Sequence, residues 1–362
     1  MKPSFKIENY VRPEFLKLQP YPAASTLSQL AKELKIPEQK IVKLNTAENS
    51  TVQRLYSKTV KNNYYSYPDP FCLKLRAEIS KYTGFGSSWI ACGNGSDEII
   101  DLLIALFVAR GEEVLICPPT FGMYEFCCKV RGAKIKKVPR NSSLTIDGNL
   151  TAQAIGPKTK LIFIDSPGNP SGTLVSKKSL LALLKKKVIV AVDEAYFEYS
   201  DRTMTPLVKQ FPNLVVFRSF SKWAGLAGLR LGYLIANPKV VEKFLLIKPP
   251  YNVNSVAQEF GLAAINKRKI LLRKLSRQLQ VKREVVKSLK QFKQLEILPG
   301  QGCYIMVVVK NGKRRELFDE LKAEGVLVKP INQAGLENSF LVSLGSSTKM
   351  NKLIKVLELV YQ

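Results

Sequence analysis

Between residues 85 and 235 the sequence alternates short runs of Val, Ile and Leu with amphipathic helical patterns, and this alternation limits the possible folds most. The apolar runs are nearly continuous, which is typical of parallel strands buried on both faces. The fold class predicted is therefore α/β, with a mostly parallel seven-stranded sheet covered by helices. The seven strands are predicted at Ser88–Cys92, Glu113–Cys117, Lys134–Val138, Lys160–Asp165, Val188–Val192, Leu214–Ser219 and Leu231–Ile235.

The rest of the chain predicts a second, smaller α+β domain. Residues 1–50 form an N-terminal arm on the side of the small domain, and residues 51–254 form the large domain. Residues 255–292 hold no proline and a single glycine, so they are expected to form one long connecting helix. Residues 293–362 complete the small domain. Residues 62–70 are predicted to be a loop that presents tyrosines, because prolines bar regular structure there.

The chain contains no histidine, which excludes hydrolase triads that use imidazole and zinc sites that use histidine. Proton transfer must then be carried out by Lys, Asp, Glu, Tyr or Cys. The formal net charge of +27 allows two interpretations, a nucleic-acid or membrane partner or a lysine-rich solvated surface. The basic residues are scattered and lack interleaved aromatic residues, which favours the second interpretation. Neither a nucleic acid nor a membrane is expected as a partner.

The six cysteines show no spacing typical of metal ligands, and several lie in apolar runs. They are expected to be buried free thiols in a reducing compartment. The N-terminus lacks the apolar segment of a signal peptide, and no apolar run approaches the roughly 18 residues of a membrane span. The expected location is therefore the cytoplasm, and no metal site is expected.

Ligands of open α/β sheets bind beyond the carboxyl ends of the strands, so the residues after each strand are expected to share one site. Gly93–Glu98 leads into a helix, predicted to be capped by Ser96, whose N-terminus offers N–H groups to an anion. Phe121 can present a ring face to a planar ligand, and Asn169 lies between turn-forming residues. Asp193 ends a buried strand, where a carboxylate is costly unless a cation or strong donor meets it.

A second cluster of polar residues follows the strand Leu214–Ser219. Lys222 follows the hydroxyls of Ser219 and Ser221, and Arg230 lies eight residues further along the chain. Pyridoxal phosphate requires a lysine for its Schiff base, a carboxylate at the pyridinium nitrogen, a phosphate cradle and a stacking ring. Together with the preceding residues, this cluster supplies all four, and the sequence therefore predicts a pyridoxal 5′-phosphate site.

The ordered series of motifs resembles the fold-type-I, class I/II aminotransferases, and among them the histidinol-phosphate aminotransferases. The resemblance implies an aspartate-aminotransferase-like fold and transfer of an amino group between an amino acid, expected to be glutamate, and a keto or phosphorylated keto compound. It also implies a homodimer that acts in amino acid biosynthesis. The matching segments span nearly the whole chain and are Lys43–Asn45, Glu48–Asn49, Tyr67–Pro70, Gly93–Glu98, Pro118–Tyr124, Ser166–Gly172, Asp193–Tyr196, Ser219–Lys222, Ala227–Gly232 and Lys248–Asn254.

The resemblance implies a role for each residue around the cofactor ring. Lys222 would form the Schiff base and move the proton between the substrate Cα and the cofactor C4′. Asp193 would pair with the pyridinium nitrogen, and Phe121 would stack on the ring. Asn169 and Tyr196 would donate hydrogen bonds to the phenolic oxygen. The three residues expected to be catalytic are thus Lys222, Asp193 and Tyr196.

The resemblance also implies which residues hold the anionic groups of the cofactor and substrate. Tyr67 of a partner subunit would reach the cofactor phosphate. Asn45 and Lys329 are the residues expected to bind the substrate. The remaining phosphate ligands would be Ser96, Asp97, Ser219, Ser221 and Arg230.

One departure from the family pattern concerns the substrate anion. Leu341 occupies the position where the family carries an arginine in its last strand, and Lys329 is the basic residue expected nearby. Lysine supplies a charge but lacks the planar bidentate fork of arginine. Two alternatives therefore stay open, a decarboxylase of the same fold and a catalytically altered paralogue. The spacing Ser219-x-x-Lys222 also matches serine acyl-transfer enzymes, but their partner motifs are absent.

Overall fold

The fold is described from a computed structural model in which residues 27–49, 52, 55, 56, 65–310 and 313–361 are placed. The strands are β1 (Val42–Lys43), β2 (Ile90–Gly93), β3 (Glu113–Ile116), β4 (Lys134–Lys137), β5 (Thr159–Asp165), β6 (Ile189–Asp193), β7 (Leu214–Ser219), β8 (Gly232–Ala236), β9 (Leu295–Leu298), β10 (Tyr304–Val309), β11 (Val326–Leu327), β12 (Lys329–Pro330) and β13 (Ser339–Ser343). The helices are α1 (Leu27–Leu34), α2 (Leu73–Thr83), α3 (Gly95–Phe107), α4 (Gly122–Arg131), α5 (Gly148–Gln153), α6 (Lys177–Leu184), α7 (Phe197–Ser200), α8 (Pro238–Ile247), α9 (Ser255–Asn266), α10 (Arg268–Leu289), α11 (Arg314–Ala323) and α12 (Ser347–Tyr361).

The central sheet has seven strands in the order β2-β8-β7-β6-β5-β3-β4. All neighbouring pairs are parallel except the two made by β8, which runs antiparallel to both β2 and β7. The prediction of a mostly parallel α/β sheet is thus confirmed. The register places Asp165 beside Asp193 at the carboxyl ends of β5 and β6.

Helices cover both faces of this sheet, as the continuous apolar runs predict. Alternate residues of the central strands point to opposite faces, because side chains in a strand alternate with period two. In β5, Ile162 and Ile164 belong to one buried apolar cluster, and Leu161 and Phe163 belong to the other. Each fully buried side chain of this kind contributes roughly 1.5–3 kcal/mol to folding.

The C-terminal part of the chain forms a second sheet, with four antiparallel strands in the order β12-β13-β10-β9. Lys329 and Leu341 are direct neighbours in it. The N-terminal strand β1 pairs in parallel with β11, which joins the arm to this part of the chain. The domain boundaries at residues 50, 254 and 292 stay a prediction.

The prediction of one long helix over residues 255–292 is wrong. The structure divides this stretch into α9 and α10 at Lys267, whose φ of −93° and ψ of 11° leave the helical conformation. The two helices bury different faces, since α9 packs against α2 whereas α10 contacts α12 and β9. Gly261 permits the close packing of α9, because a Cβ there would lie 2.5 Å from the side chain of Leu231.

Several sequence predictions lie partly outside the described residues, namely those for the first 26 residues and for part of the tyrosine-rich loop. No helix among the placed residues combines the length and the apolarity that a bilayer span requires.

Candidate active site

The candidate site is a cavity of about 500 Å³ that the carboxyl ends of β5, β6 and β7 help to line. All but one of the side chains predicted to form a site line this cavity, although they come from distant parts of the chain. The exception is Tyr67. The predicted residues that the structure brings together are Asn45, Ser96, Asp97, Phe121, Asn169, Asp193, Tyr196, Ser219, Ser221, Lys222, Arg230 and Lys329.

Asp193 is the buried carboxylate of the site. Its Oδ2 accepts a hydrogen bond from the Tyr124 hydroxyl at 2.9 Å, and its Oδ1 accepts one from the Ala195 N–H at 2.9 Å. Burial nevertheless raises the pKa of Asp193 to about 7, because the charged form is poorly solvated there. Two hydrogen bonds therefore do not fully compensate this carboxylate, and a cation placed in the cavity would stabilise it.

Polar and aromatic groups surround the centre of the cavity. The Asn169 side chain donates a hydrogen bond to the Tyr196 hydroxyl at 3.4 Å, so the two groups face the same region. The Lys222 Nζ lies 6.0 Å from the centre of the Tyr196 ring. Phe121 packs edge-on against Tyr124, with 5.7 Å between ring centres. A lysine, a carboxylate, an amide and a phenol thus converge on one space lined by an aromatic ring.

The end of the cavity at α3 fits a phosphate group. Gly95 has a φ of +82°, and a Cβ there would lie 2.8 Å from an Arg230 guanidinium nitrogen, so only glycine leaves room for this side chain. The Arg230 Nη2 donates to the Asp97 Oδ2 at 2.6 Å. Helix N–H groups, the nearby serine hydroxyls and a guanidinium form the set of donors that a dianion requires.

The predicted capping role of Ser96 is wrong. The helix begins at Gly95, directly after Asn94, and no side chain at the Asn94 position caps it. Instead the Glu98 carboxylate folds back and accepts a hydrogen bond from the Asn94 N–H at 2.6 Å. Ser96 therefore lies in the first turn of the helix and lines the cavity.

The opposite end of the cavity is formed by the C-terminal sheet and by Asn45. The Asn45 Oδ1 is buried and has no hydrogen-bond partner among the placed residues. Lys329 and Leu341 are cross-strand neighbours, and both line the cavity. Desolvation by the surrounding cavity wall and the positive charge of Lys222 lower the pKa of Lys329. This end therefore offers one amine, one unsatisfied amide oxygen and an apolar wall.

Tyr67 lies outside the cavity. Its side chain is 81% exposed, and its ring stacks on that of Tyr251 with 4.6 Å between centres. The assignment of Tyr67 to the site of a partner subunit stays a prediction.

Sequence reasoning missed three side chains that complete the site. Tyr124 holds Asp193, Tyr304 lines the cavity edge-on to Tyr196 at 5.2 Å between ring centres, and Asp165 lines it beside Asp193. Asp165 ends its strand as Asp193 does, and that shared position was the one available signal. Tyr304 reaches the site from the C-terminal sheet, which no local pattern reveals.

Comparison with known proteins gives the same family over most of the chain. The sequence profile of the family "Aminotransferase class I and II" matches residues 40–357. A histidinol-phosphate aminotransferase of Dehalococcoides mccartyi is 36% identical over 359 residues, which cover 98% of both chains. A chloroplastic histidinol-phosphate aminotransferase of Nicotiana tabacum is 35% identical over 97% of this chain and 87% of its own.

Solved structures show the same fold. The crystal structure of histidinol-phosphate aminotransferase from Sinorhizobium meliloti, in complex with pyridoxal-5′-phosphate, superposes with a TM-score of 0.86. The match covers 97% of this chain and 98% of that one, at 20% identity. The predicted aspartate-aminotransferase-like α/β fold is therefore confirmed, and the chain belongs to the class I and II aminotransferase family.

Proposed function

We propose that the protein is a pyridoxal-phosphate-dependent aminotransferase that moves an amino group between an amino acid, glutamate, and a keto or phosphorylated keto compound. The convergence of Lys222, Asp193, Asn169, Tyr196 and Arg230 on one cavity carries this proposal. The named relatives support histidinol phosphate as the phosphorylated partner. They do not favour the decarboxylase alternative, because they match over nearly their full length and are called aminotransferases.

Each group of the cofactor has a matching partner in the cavity. Asp193 would hold the ring nitrogen, which supplies the cation that its poorly solvated carboxylate lacks. Phe121 would cover one face of the ring, and Asn169 and Tyr196 would bind the phenolic oxygen. The phosphate would bind to Ser96, Asp97, Ser219, Ser221 and Arg230.

Bound pyridoxal phosphate supplies an electron-withdrawing ring and an aldehyde carbon that exchanges oxygen for an amino nitrogen. The chain supplies the acid and the base. The Lys222 Nζ would take the proton from the substrate Cα and deliver it to the cofactor C4′. Asp193 would keep the ring nitrogen protonated, and Lys329 and Asn45 would orient the substrate.

The proposed function is tested by a screen of amino donors against the cofactor-loaded protein. An aminotransferase leaves the cofactor as stable pyridoxamine phosphate after a half-reaction with glutamate or histidinol phosphate, and absorbance spectra follow this change. A decarboxylase would instead return to its starting spectrum with release of carbon dioxide. If none of the donors changes the spectrum, the catalytically altered paralogue becomes the better interpretation.

The apolar wall at Leu341 gives a prediction about substrate charge. Leu341→Arg should raise kcat/KM for glutamate about tenfold or more, because a guanidinium next to Lys329 would bind a carboxylate in two places. Steady-state kinetics with glutamate and the keto acceptor measure this change. Leu341→Met is the matched control of similar volume. An unchanged or lower preference for glutamate in the arginine variant would show that this wall does not face the substrate carboxylate.

We propose that the protein is a homodimer and that the second copy covers an exposed apolar face beside the site. This dimer face comprises two chain segments that stack through Tyr67 and Tyr251 and are joined by the Lys248 Nζ, which donates to Pro70 O at 2.7 Å. Asn252 links the face to the phosphate end by donating to the Glu98 Oε2 at 2.5 Å. Its exposed side chains are Tyr65, Tyr67, Phe71, Leu73, Leu246, Ile247 and Tyr251.

The dimer face is tested with two equally exposed leucines. Leu246→Asp should convert the dimer to a monomer, because it places a charge in an apolar interface, and analytical ultracentrifugation measures the change. Leu359→Asp, on α12 and away from the face, should leave the dimer intact, since its leucine is 67% exposed against 69% for Leu246. Equal behaviour of the two variants would reject this face as the interface.

The cellular compartment is proposed from the cysteines. All six thiols are free and buried, which is consistent with a reducing compartment, and we place the protein in the cytoplasm. The net charge of +27 is assigned to the solvated surface, with no nucleic-acid partner.

A further inference from the structure

A buried ion pair that no part of the proposed mechanism uses borders the cavity. It joins Arg140 to Asp165, whose side chains are 1% and 4% exposed. Asp165 ends β5 and lines the cavity, whereas Arg140 lies after β4 and outside the lining. Removing one partner of such a pair leaves an uncompensated buried charge, so the pair is costly to disrupt and its contacts show what it holds.

The Arg140 guanidinium ties together three chain segments. Its Nε donates to the carbonyls of Cys117 and Pro119 at 3.2 and 3.0 Å, in the segment that leads to Phe121. Its Nη1 donates to the Thr173 hydroxyl at 3.2 Å, at the end of the loop that carries Asn169. Its Nη2 binds the Asp165 carboxylate. A guanidinium provides five N–H donors in a fixed plane, and lysine cannot reproduce this geometry.

The Asp165 carboxylate in turn binds the two chain segments that carry Phe121 and Asn169. Its Oδ1 accepts a hydrogen bond from the Thr120 hydroxyl at 2.8 Å, directly before Phe121. Its Oδ2 accepts one from the Asn169 N–H at 2.6 Å. The Asp165 carboxylate thus fixes Thr120, which precedes Phe121, and the backbone of Asn169.

The loop that carries Asn169 is also packed directly on the guanidinium. A Cβ at Gly168 would lie 3.0 Å from both Arg140 Nη atoms, so the backbone rests against this side chain. The Gly168 carbonyl in turn accepts a hydrogen bond from the Tyr304 hydroxyl. Arg140 and Tyr304 of the C-terminal sheet therefore both hold the backbone next to Asn169.

We propose that Arg140 is a positioning residue which, through Asp165, holds Phe121 and Asn169 in place on two sides of the cofactor site. The inference rests on the proposed function for its kinetic consequences but not for its structural ones. Arg140 also balances the charge of Asp165, which lies next to Asp193 in the sheet, so that Asp193 meets the cofactor without a second uncompensated carboxylate beside it.

The test compares Arg140→Lys with Arg218→Lys. Arg218 and Glu194 form the other buried arginine–carboxylate pair among the placed residues. Their side chains are similarly buried, at 4% and 1% exposed, but neither residue lines the cavity. Arg140→Lys should weaken pyridoxal phosphate binding and lower kcat by about tenfold or more each, whereas Arg218→Lys should change both by less than about threefold at a similar loss of stability. Asp165→Asn removes the charge of the other partner in the same ion pair and should behave like Arg140→Lys.

A readout on the cofactor-free protein separates this inference from the proposed function. Hydrogen exchange should accelerate together in residues 117–121 and 166–173 of Arg140→Lys and in neither segment of Arg218→Lys. Unchanged exchange, with cofactor affinity and kcat equal to those of Arg218→Lys, would overturn the positioning role. If the parent protein itself bound no pyridoxal phosphate, the proposed function would fail, while the exchange result would still decide the role of Arg140.

Discussion

Lys222→Ala should abolish turnover, with kcat reduced at least about 10³-fold, because the variant loses both the covalent attachment of the cofactor and the base that moves the substrate proton. The cavity offers a second amine, that of Lys329, but it lies at the substrate end with Leu341. The fold should survive, since alanine at this position leaves the neighbouring strands unchanged. Steady-state kinetics and circular dichroism check the two halves of this expectation.

The control for this variant is another lysine that is buried away from the cavity lining. Lys282 donates to the carbonyls of Gly300 and Gly302 at 3.1 and 2.8 Å, and burial lowers its pKa to about 8. Lys282→Met should lower stability but retain turnover. Substantial turnover in Lys222→Ala would remove Lys222 from its assigned role, whatever the control shows.

Asp193→Asn should have opposite effects on turnover and on stability. Turnover should fall about 10²-fold or more, because the ring nitrogen loses the carboxylate that keeps it protonated. In the cofactor-free protein the pKa of Asp193 is raised by burial to about 7, from an ordinary value of 3.8. As the pH rises from about 4 to about 7, the unfolded chain releases its proton first and the folded state loses stability, by up to a few kcal/mol.

Asparagine removes this loss, so the cofactor-free Asp193→Asn protein should unfold at a higher temperature than the parent at pH 8. Glu198→Gln is the matched control, because burial raises the pKa of Glu198 to about 8 and the residue does not line the site cavity. It should show the same gain of stability at high pH and retain turnover. A variant Asp193→Asn that is less stable than the parent at pH 8 would contradict the assignment of an undercompensated carboxylate.

The features that sequence could predict are those encoded by contiguous residues. The apolar runs of β5, β6 and β7 are local, and the residues that follow each strand are carried to the same edge of a parallel sheet. For this reason the sequence alone assigns Asp193, Asn169 and Lys222 to one site. The separation of α9 from α10 was missed because the break at Lys267 has no proline or glycine to mark it and arises from tertiary packing.

The supporting residues could not be predicted, because their roles depend on distant partners. Tyr124 is the third residue of a helix, and nothing in its local sequence indicates that its hydroxyl meets Asp193. Arg140 follows an edge strand and looks like one of many surface cations in a strongly basic chain. Only the folded structure shows that it is buried against Asp165 and that it contacts both loops of the cavity.

The proposed cofactor chemistry is tested most directly by identifying the lysine that carries pyridoxal phosphate. Purified protein is incubated with pyridoxal phosphate, reduced with borohydride and digested, and the modified peptide is located by mass spectrometry. We expect a yellow protein before reduction and a single pyridoxyl group on Lys222. A protein that takes up no pyridoxal phosphate, or that carries the group on another lysine while Lys222 is unmodified, would contradict it.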